Sequence, residues 1–232
     1  FTSPEIKITI SSDMDKVIFD GKWTHTTEWK RSSLDTLAFD EPNEQIKLRT
    51  AHQGNFVYVL IDFVSDTSLD FGKDNAIICF DINNDKTTSP MQDDLCFTSI
   101  LGEDSGTVLI GDSQNNSFIL TKSPDEFISI SSPSDEADRY SEIPHSTYEF
   151  RIPTDFISRQ SIYGFYVGVY DHKSDKTFSW PLNVEDGPIK IPNPNLWGEI
   201  ISPDKSLPEL YCNISICCKH DFCYTNKKYY SS

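Results

Sequence analysis

The chain has 232 residues, 36 of them acidic against 20 basic, and a formal charge of −16 at pH 7. That balance excludes nucleic acid, whose phosphates need Lys and Arg, and disfavours an anionic membrane surface. It suits a soluble domain in a cation-rich exterior, or one that holds Ca²⁺. The hydrophobic fraction is only 37 %, but aromatics reach 12 % and each carries a large buried area, so one large all-β domain is within reach.

The first Met is Met14, and no charged-then-apolar leader opens the chain, so Phe1 reads as a mature terminus. No run of about 18 apolar residues is present to span a bilayer. Residues 5–10 alternate polar and apolar, as a half-buried strand does. Val17 to Phe19 reads as a second short strand that ends at the Asp20-Gly21 turn. Residues 22–40 hold Trp23 and Trp29 among scattered polar residues and read as an irregular excursion or short helix. Gln45 to Arg49 follows as a strand, then Phe56 to Val64, rich in β-branched and aromatic residues, the strongest strand of the chain.

Ala76–Ile82, Leu95–Ile100, Thr107–Ile110, Phe118–Thr121 and Phe127–Ser131 continue the series with turn residues between them. The polar, Pro-punctuated stretch 131–146 is expected to be a long surface loop. Strands resume at Tyr148–Pro153, Tyr163–Asp171 and Thr177–Trp180. From Pro181 onward, Pro188, Pro192, Pro194, Pro203 and Pro208 argue against regular sheet and for an extended stalk. The expected fold is an antiparallel β-sandwich of jelly-roll or immunoglobulin-like architecture over 1–185, with a Pro-rich stalk over 186–210. A Cys-rich tail over 211–232 follows, disordered or a disrupted membrane anchor.

The order of these elements resembles the family 9 carbohydrate-binding modules and their wider DOMON-like relatives. The residues that carry the resemblance are Asp20-Gly21 with Trp23 and Trp29; the strand Phe56–Phe63; the acidic element Asp74, Asp81, Asn83, Asn84 and Asp85; Glu149 to Pro153; and Gly164 to Asp171 with Trp180-Pro181 after it. The resemblance covers roughly 5–185. It implies a sandwich without catalytic machinery, one that binds sugars between aromatic rings, holds structural cations or carries haem. A second resemblance, from Trp197 to Leu210, is to the juxtamembrane end of archaeal surface proteins, with Lys227-Lys228 as a basic end. The segment between is too polar to cross a membrane.

Alternating Asp and Asn on a short loop supply the oxygen ligands that calcium needs, which makes Asp74, Asp81, Asn83, Asp85, Asp93 and Asp94 the metal candidates. A solvated Asn-Asp turn is the simpler alternative. Trp23, Trp29, Trp180 and Trp197 are the candidate sugar platform; core packing competes for the first two, and the latter two are expected to be the more exposed. Haem would need axial donors from His25, His52, His145, His172, Met14 or Met91, whose spacing is uninformative, and no C-x-x-C-H is present; haem is disfavoured. Cys79 and Cys96, each inside a strand, form either a disulfide of an oxidising compartment or two buried thiols. Cys212, Cys217, Cys218, His220 and Cys223 fit no standard zinc spacing. Asn115 and Asn213 head glycosylation sequons. With no nucleophile, zincin or phosphate-loop motif, the chain reads as a non-enzyme. The expected role is an extracellular or cell-surface binding or scaffolding module, its partner a surface glycan or a protein of a membrane complex or surface layer.

Overall fold

The computed structural model describes residues 3–40 and 43–202. In chain order the strands are β1 (Glu5–Lys7), β2 (Thr9–Ile10), β3 (Ser33–Phe39), β4 (Glu44–Gln53), β5 (Phe56–Phe63), β6 (Asn75–Asp81), β7 (Asp94–Ile100) and β8 (Val108–Asp112). They continue with β9 (Ser117–Thr121), β10 (Ile128–Pro133), β11 (Ser146–Pro153), the single helical turn α1 (Thr154–Ile157), β12 (Ile162–Asp171), β13 (Lys176–Trp180), β14 (Asn183–Asp186) and β15 (Gly198–Ile201). Two sheets form the sandwich. The first runs β1-β15-β12-β6-β7-β8-β9, with β13 also on β12 and β14 on β13; the second runs β10-β11-β5-β4-β2, with β3 on β4. The pairs β1–β15 and β2–β4 are parallel and the others antiparallel.

The core lies between the sheets. Val57, Val59, Ile61 and Phe63 of β5 meet Ile78 and Phe80 of β6 and Phe165, Val167 and Val169 of β12. The alternate residues of β5 are buried too, because the outer face of that sheet is covered. Met14, Val17, Trp23 and Trp29 pack there on Ala51, Tyr58 and Leu60. Burial on both faces is why β5 reads as an apolar run broken only by Asp62.

One carboxylate holds this cover down. Glu149 on β11 is fully buried. It accepts the backbone N–H of Asp20 at 3.1 Å and of Gly21 at 2.8 Å, and the Trp29 indole N–H at 2.8 Å. Gly21 sits at φ +86°, and a Cβ there would lie 2.4 Å from the Ser131 carbonyl carbon, so the Asp-Gly turn is required by both conformation and space. Val17 to Phe19 is therefore not a strand. The run crosses the sheet's face rather than its edge, and Ile18 donates its N–H to Glu28 Oε1 instead of a ladder.

The Pro-rich region also departs from expectation. It does not leave the domain as a stalk at 186. Residues 187–197 turn back across the outer face of the first sheet, where Ile189, Ile191 and Trp197 pack against Cys79, Cys96, Tyr166, Leu109 and Phe118. The chain then enters that sheet as β15, so the sandwich extends to residue 202. Prolines keep this strap out of a ladder without preventing it from packing. The rest of the expected stalk and the Cys-rich tail, with Asn213, lie outside the described residues.

Candidate functional site

Asp81 ends β6, Asp94 begins β7, and the two are direct register partners. With Asp93 they bring one ligand atom each to within 4.8 Å of one another. Asp81 accepts the Lys86 N–H at 3.0 Å and the Asp85 N–H at 3.3 Å; Asp94 Oδ2 accepts the Met91 N–H at 2.6 Å. Asp94 Oδ1 and Asp93 Oδ2 are buried without a hydrogen-bond partner. Burial pushes the Asp94 carboxyl up to about 7, the Asp81 and Asp93 charges add to that, and the Met91 N–H opposes it. No Lys or Arg among the described residues forms an ion pair with these three acids. Opposed, buried and under-bonded carboxylates are the donor set a hard divalent cation satisfies.

Asn83 and Asp85, expected among the ligands, are exposed. The Asp85 contribution is its backbone N–H. Asn84, in the same turn, has φ +51° and a buried Oδ1 with no partner. The expected grouping of Asp74 with Asp81 is also overturned. The two flank β6 at opposite ends, roughly 23 Å apart at strand rise. Asp74 instead joins Asp66, just after β5, and Asp171 at the end of β12. It accepts N–H groups from His172 at 2.9 Å and Asp70 at 2.5 Å, while Asp66 Oδ2 accepts the Ser146 hydroxyl at 2.8 Å. Burial raises Asp74 to about 6. Sequence proximity pointed to one acidic site, and the sheet sorts the acids into two.

The tryptophans do not form a platform. Trp23 and Trp29 are buried under the N-terminal cover. Trp180 is 6 % exposed and packs against Phe165 in the core. Trp197, 2 % exposed, stacks between Phe118 and Tyr166 and donates its indole N–H to Pro192 O at 2.8 Å. The strap that was expected to expose Trp197 is what buries it. Beside it lies a shallow groove of about 180 Å³, walled by Thr177 and Ser179 of β13, the β13–β14 turn and the strap. Leu182 and Leu196 are exposed at its rim, and Asn183, Glu185 and Lys190 supply polar groups. Burial pushes the Tyr166 hydroxyl at its base up to about 12, so it stays protonated.

Cys79 and Cys96 are opposite partners on β6 and β7 and are joined by a disulfide. Asn115 is exposed in the β8–β9 turn.

The sequence matches no protein-family model, and no curated protein matches it. Solved structures do. A carbohydrate binding module family 9 protein from Caldicellulosiruptor kristjanssonii in complex with cellotriose is similar over 86 % of this chain and 93 % of its own, at 18 % identity and a TM-score of 0.52. A family 9 module of the same organism in complex with glucose is similar over 86 % and 95 %, at 17 % identity and a TM-score of 0.50. The chain has a β-sandwich fold like that of the family 9 carbohydrate-binding modules.

Proposed function

We propose that this chain is a non-catalytic, extracellular carbohydrate-binding module stiffened by calcium. The observation that carries the reading is the fold shared with two modules seen with cellotriose and glucose. The groove beside the strap is the proposed sugar site. Exposed Leu182 and Leu196 offer apolar area to the C–H faces of a pyranose, and Asn183, Glu185 and Lys190 offer hydroxyl partners. Calcium is assigned to Asp81, Asp93 and Asp94 and, separately, to Asp66, Asp74 and Asp171. Placement outside the cytoplasm is supported by the Cys79–Cys96 disulfide and the exposed Asn115 sequon. No described helix is long and apolar enough to cross a membrane.

The test is a glycan array with the full chain, in calcium and in EDTA, followed by titration of the best oligosaccharide against Lys190→Ala and Leu196→Ala. Binding to a defined glycan class that weakens about tenfold or more in these variants supports the groove, that factor corresponding to the loss of one well-made contact. A silent array with folded protein removes the sugar reading and leaves a scaffolding module with a protein partner.

A further inference from the structure

A third cluster lies on the outer face of the second sheet, made of residues that belong neither to the groove nor to the two acidic sites, though its His145 adjoins Ser146, which bonds Asp66. Asp62 on β5, Asp138 in the 134–145 loop and His145 at the end of that loop are all buried. Each offers a ligand atom, and the three atoms lie within 4.8 Å of one another. His145 Nε2 is 2.7 Å from Asp62 Oδ1 and 3.8 Å from Asp138 Oδ1.

The other ring nitrogen fixes the chemistry. His145 Nδ1 lies 2.7 Å from the Ile143 carbonyl oxygen and 2.9 Å from Ser134 Oγ. A carbonyl only accepts, so Nδ1 carries the proton, and in the neutral ring Nε2 presents its lone pair to two carboxylates. A lone pair held against carboxylates is repulsive unless something positive stands between them. Asp62 Oδ2 and Asp138 Oδ2 are buried and accept no hydrogen bond. Among the described residues, His145 alone forms an ion pair with either acid. A protonated His145 balances one of the two carboxylates; Asp138 Oδ1 also accepts the Tyr140 N–H at 2.7 Å and the Ser141 N–H at 3.0 Å, but no second cation faces the pair among the described residues.

An imidazole oriented through its second nitrogen by a backbone carbonyl, beside two carboxylates that each keep one buried oxygen without a partner, is a transition-metal donor set. Calcium prefers oxygen alone, which separates this cluster from the two acidic sites. We propose that Asp62, Asp138 and His145 bind one structural divalent ion of the zinc class, which pins the 134–145 loop to β5. The loop carries Tyr140, which packs edge-on against Trp23 and accepts the Arg49 Nε–H at 2.7 Å. The ion would thereby clamp the N-terminal cover as well. This inference stands on its own residues and is independent of the sugar reading.

The experiment uses the full chain, stripped with chelator and treated with iodoacetamide so that any free thiol is blocked from ligating. Co²⁺ is titrated in excess Ca²⁺, which occupies the all-oxygen sites, and Zn²⁺ is then added. The expected result is one Co²⁺ per chain with visible d–d bands and no sulfur charge transfer, displaced by Zn²⁺, and a higher melting temperature with Zn²⁺. His145→Gln should abolish these effects, and Asp138→Asn, on the loop, should weaken binding by about tenfold or more. Absence of Co²⁺ binding in the wild type overturns the proposal. So does unchanged binding in either folded variant, or a His145→Gln protein that melts earlier by the same margin with and without Zn²⁺, which marks a buried ion pair only. Glycan binding measured in the same samples reports separately on the groove.

Discussion

Replacing Gly21 by alanine tests how the N-terminal cover is held. At φ +86° an L-residue is strained by about 1–2 kcal/mol. The added Cβ would also stand 2.4 Å from Ser131 C and 2.5 Å from Ser132 N, both backbone atoms of β10 that cannot rotate away. The turn must lift. Lifting it breaks the Asp20 and Gly21 N–H bonds to Glu149 and the Ser132 N–H bond to Gly21 O at 3.2 Å. Burial holds Glu149 up to about 8, so it is largely uncharged at neutral pH and each of these bonds is worth roughly 0.5–1.5 kcal/mol net. Some relaxation is recovered as the turn shifts, so the expected loss is about 4 kcal/mol, a large share of a typical folding free energy of roughly 5–15 kcal/mol. Gly54→Ala is the control. It has positive φ, +55°, with nothing within 4 Å of the added carbon, and should cost only about 1 kcal/mol. The assay is urea unfolding followed by tryptophan fluorescence, which reports on Trp23 and Trp29 under the same cover. Equal losses in the two variants would falsify the argument from close approach, because conformational strain alone would then account for both.

Calcium should raise the melting temperature of the chelated protein; Asp94→Asn should remove the part of the rise that its own site supplies and leave the part from Asp66, Asp74 and Asp171, whereas Asn83→Ala and Asp85→Asn, at exposed positions, should leave all of it. Without calcium, stability should fall as pH rises. Glu149, held up to about 8 chiefly by burial, and Asp94, at about 7, keep protons in the folded state that they release when unfolded. Their contribution is complete below about pH 4 and is lost by about pH 8. Urea midpoints at pH 5 and pH 8 measure this, and a rise with pH contradicts it. Replacing both Cys79 and Cys96 by alanine frees a loop with a sequence separation of 17 and should cost about 3 kcal/mol by loop entropy, read as a lower urea midpoint.

Much of the sandwich was legible because its central strands advertise themselves. β5 and β12 are buried on both faces, so apolar and aromatic residues dominate both, broken only by Asp62 in β5 and by Gly164, Gly168 and the terminal Asp171 in β12. Edge strands gave weaker signals. β3 has the sequence Ser33-Leu-Asp-Thr-Leu-Ala-Phe39, with Leu34 exposed, and was hidden inside the tryptophan excursion. β15 was hidden behind prolines that proved to be a strap. The acidic sites were half legible. Asp81, Asp93 and Asp94 are close in sequence because a β6–β7 connection joins them. Asp66 and Asp171 belong to different strand ends, and Asp62 and His145 meet only because β5 and β11 are neighbours. The tryptophans misled because an aromatic near a proline looks exposed in sequence, while in space the proline segment is the lid.

The parallel pairing of β1 with β15 has a mechanical consequence. Glu5, Ile6 and Lys7 stand beside Glu199, Ile200 and Ile201, so the strand entering the fold and the strand closing the described part run the same way, side by side. Tension applied between residue 3 and residue 202 would pull these neighbours past each other along their length. Their ladder bonds, with the Ile8 N–H to Ile201 O bond at 3.0 Å and the Glu199 N–H to Pro4 O bond at 2.8 Å, would then share the load together instead of opening one at a time. β15 is also laddered to β12, an interior strand of the first sheet buried along most of its length, so the load passes into the body of the sheet. A domain strung between two anchors in this way resists stretching along the axis on which its ends are drawn apart.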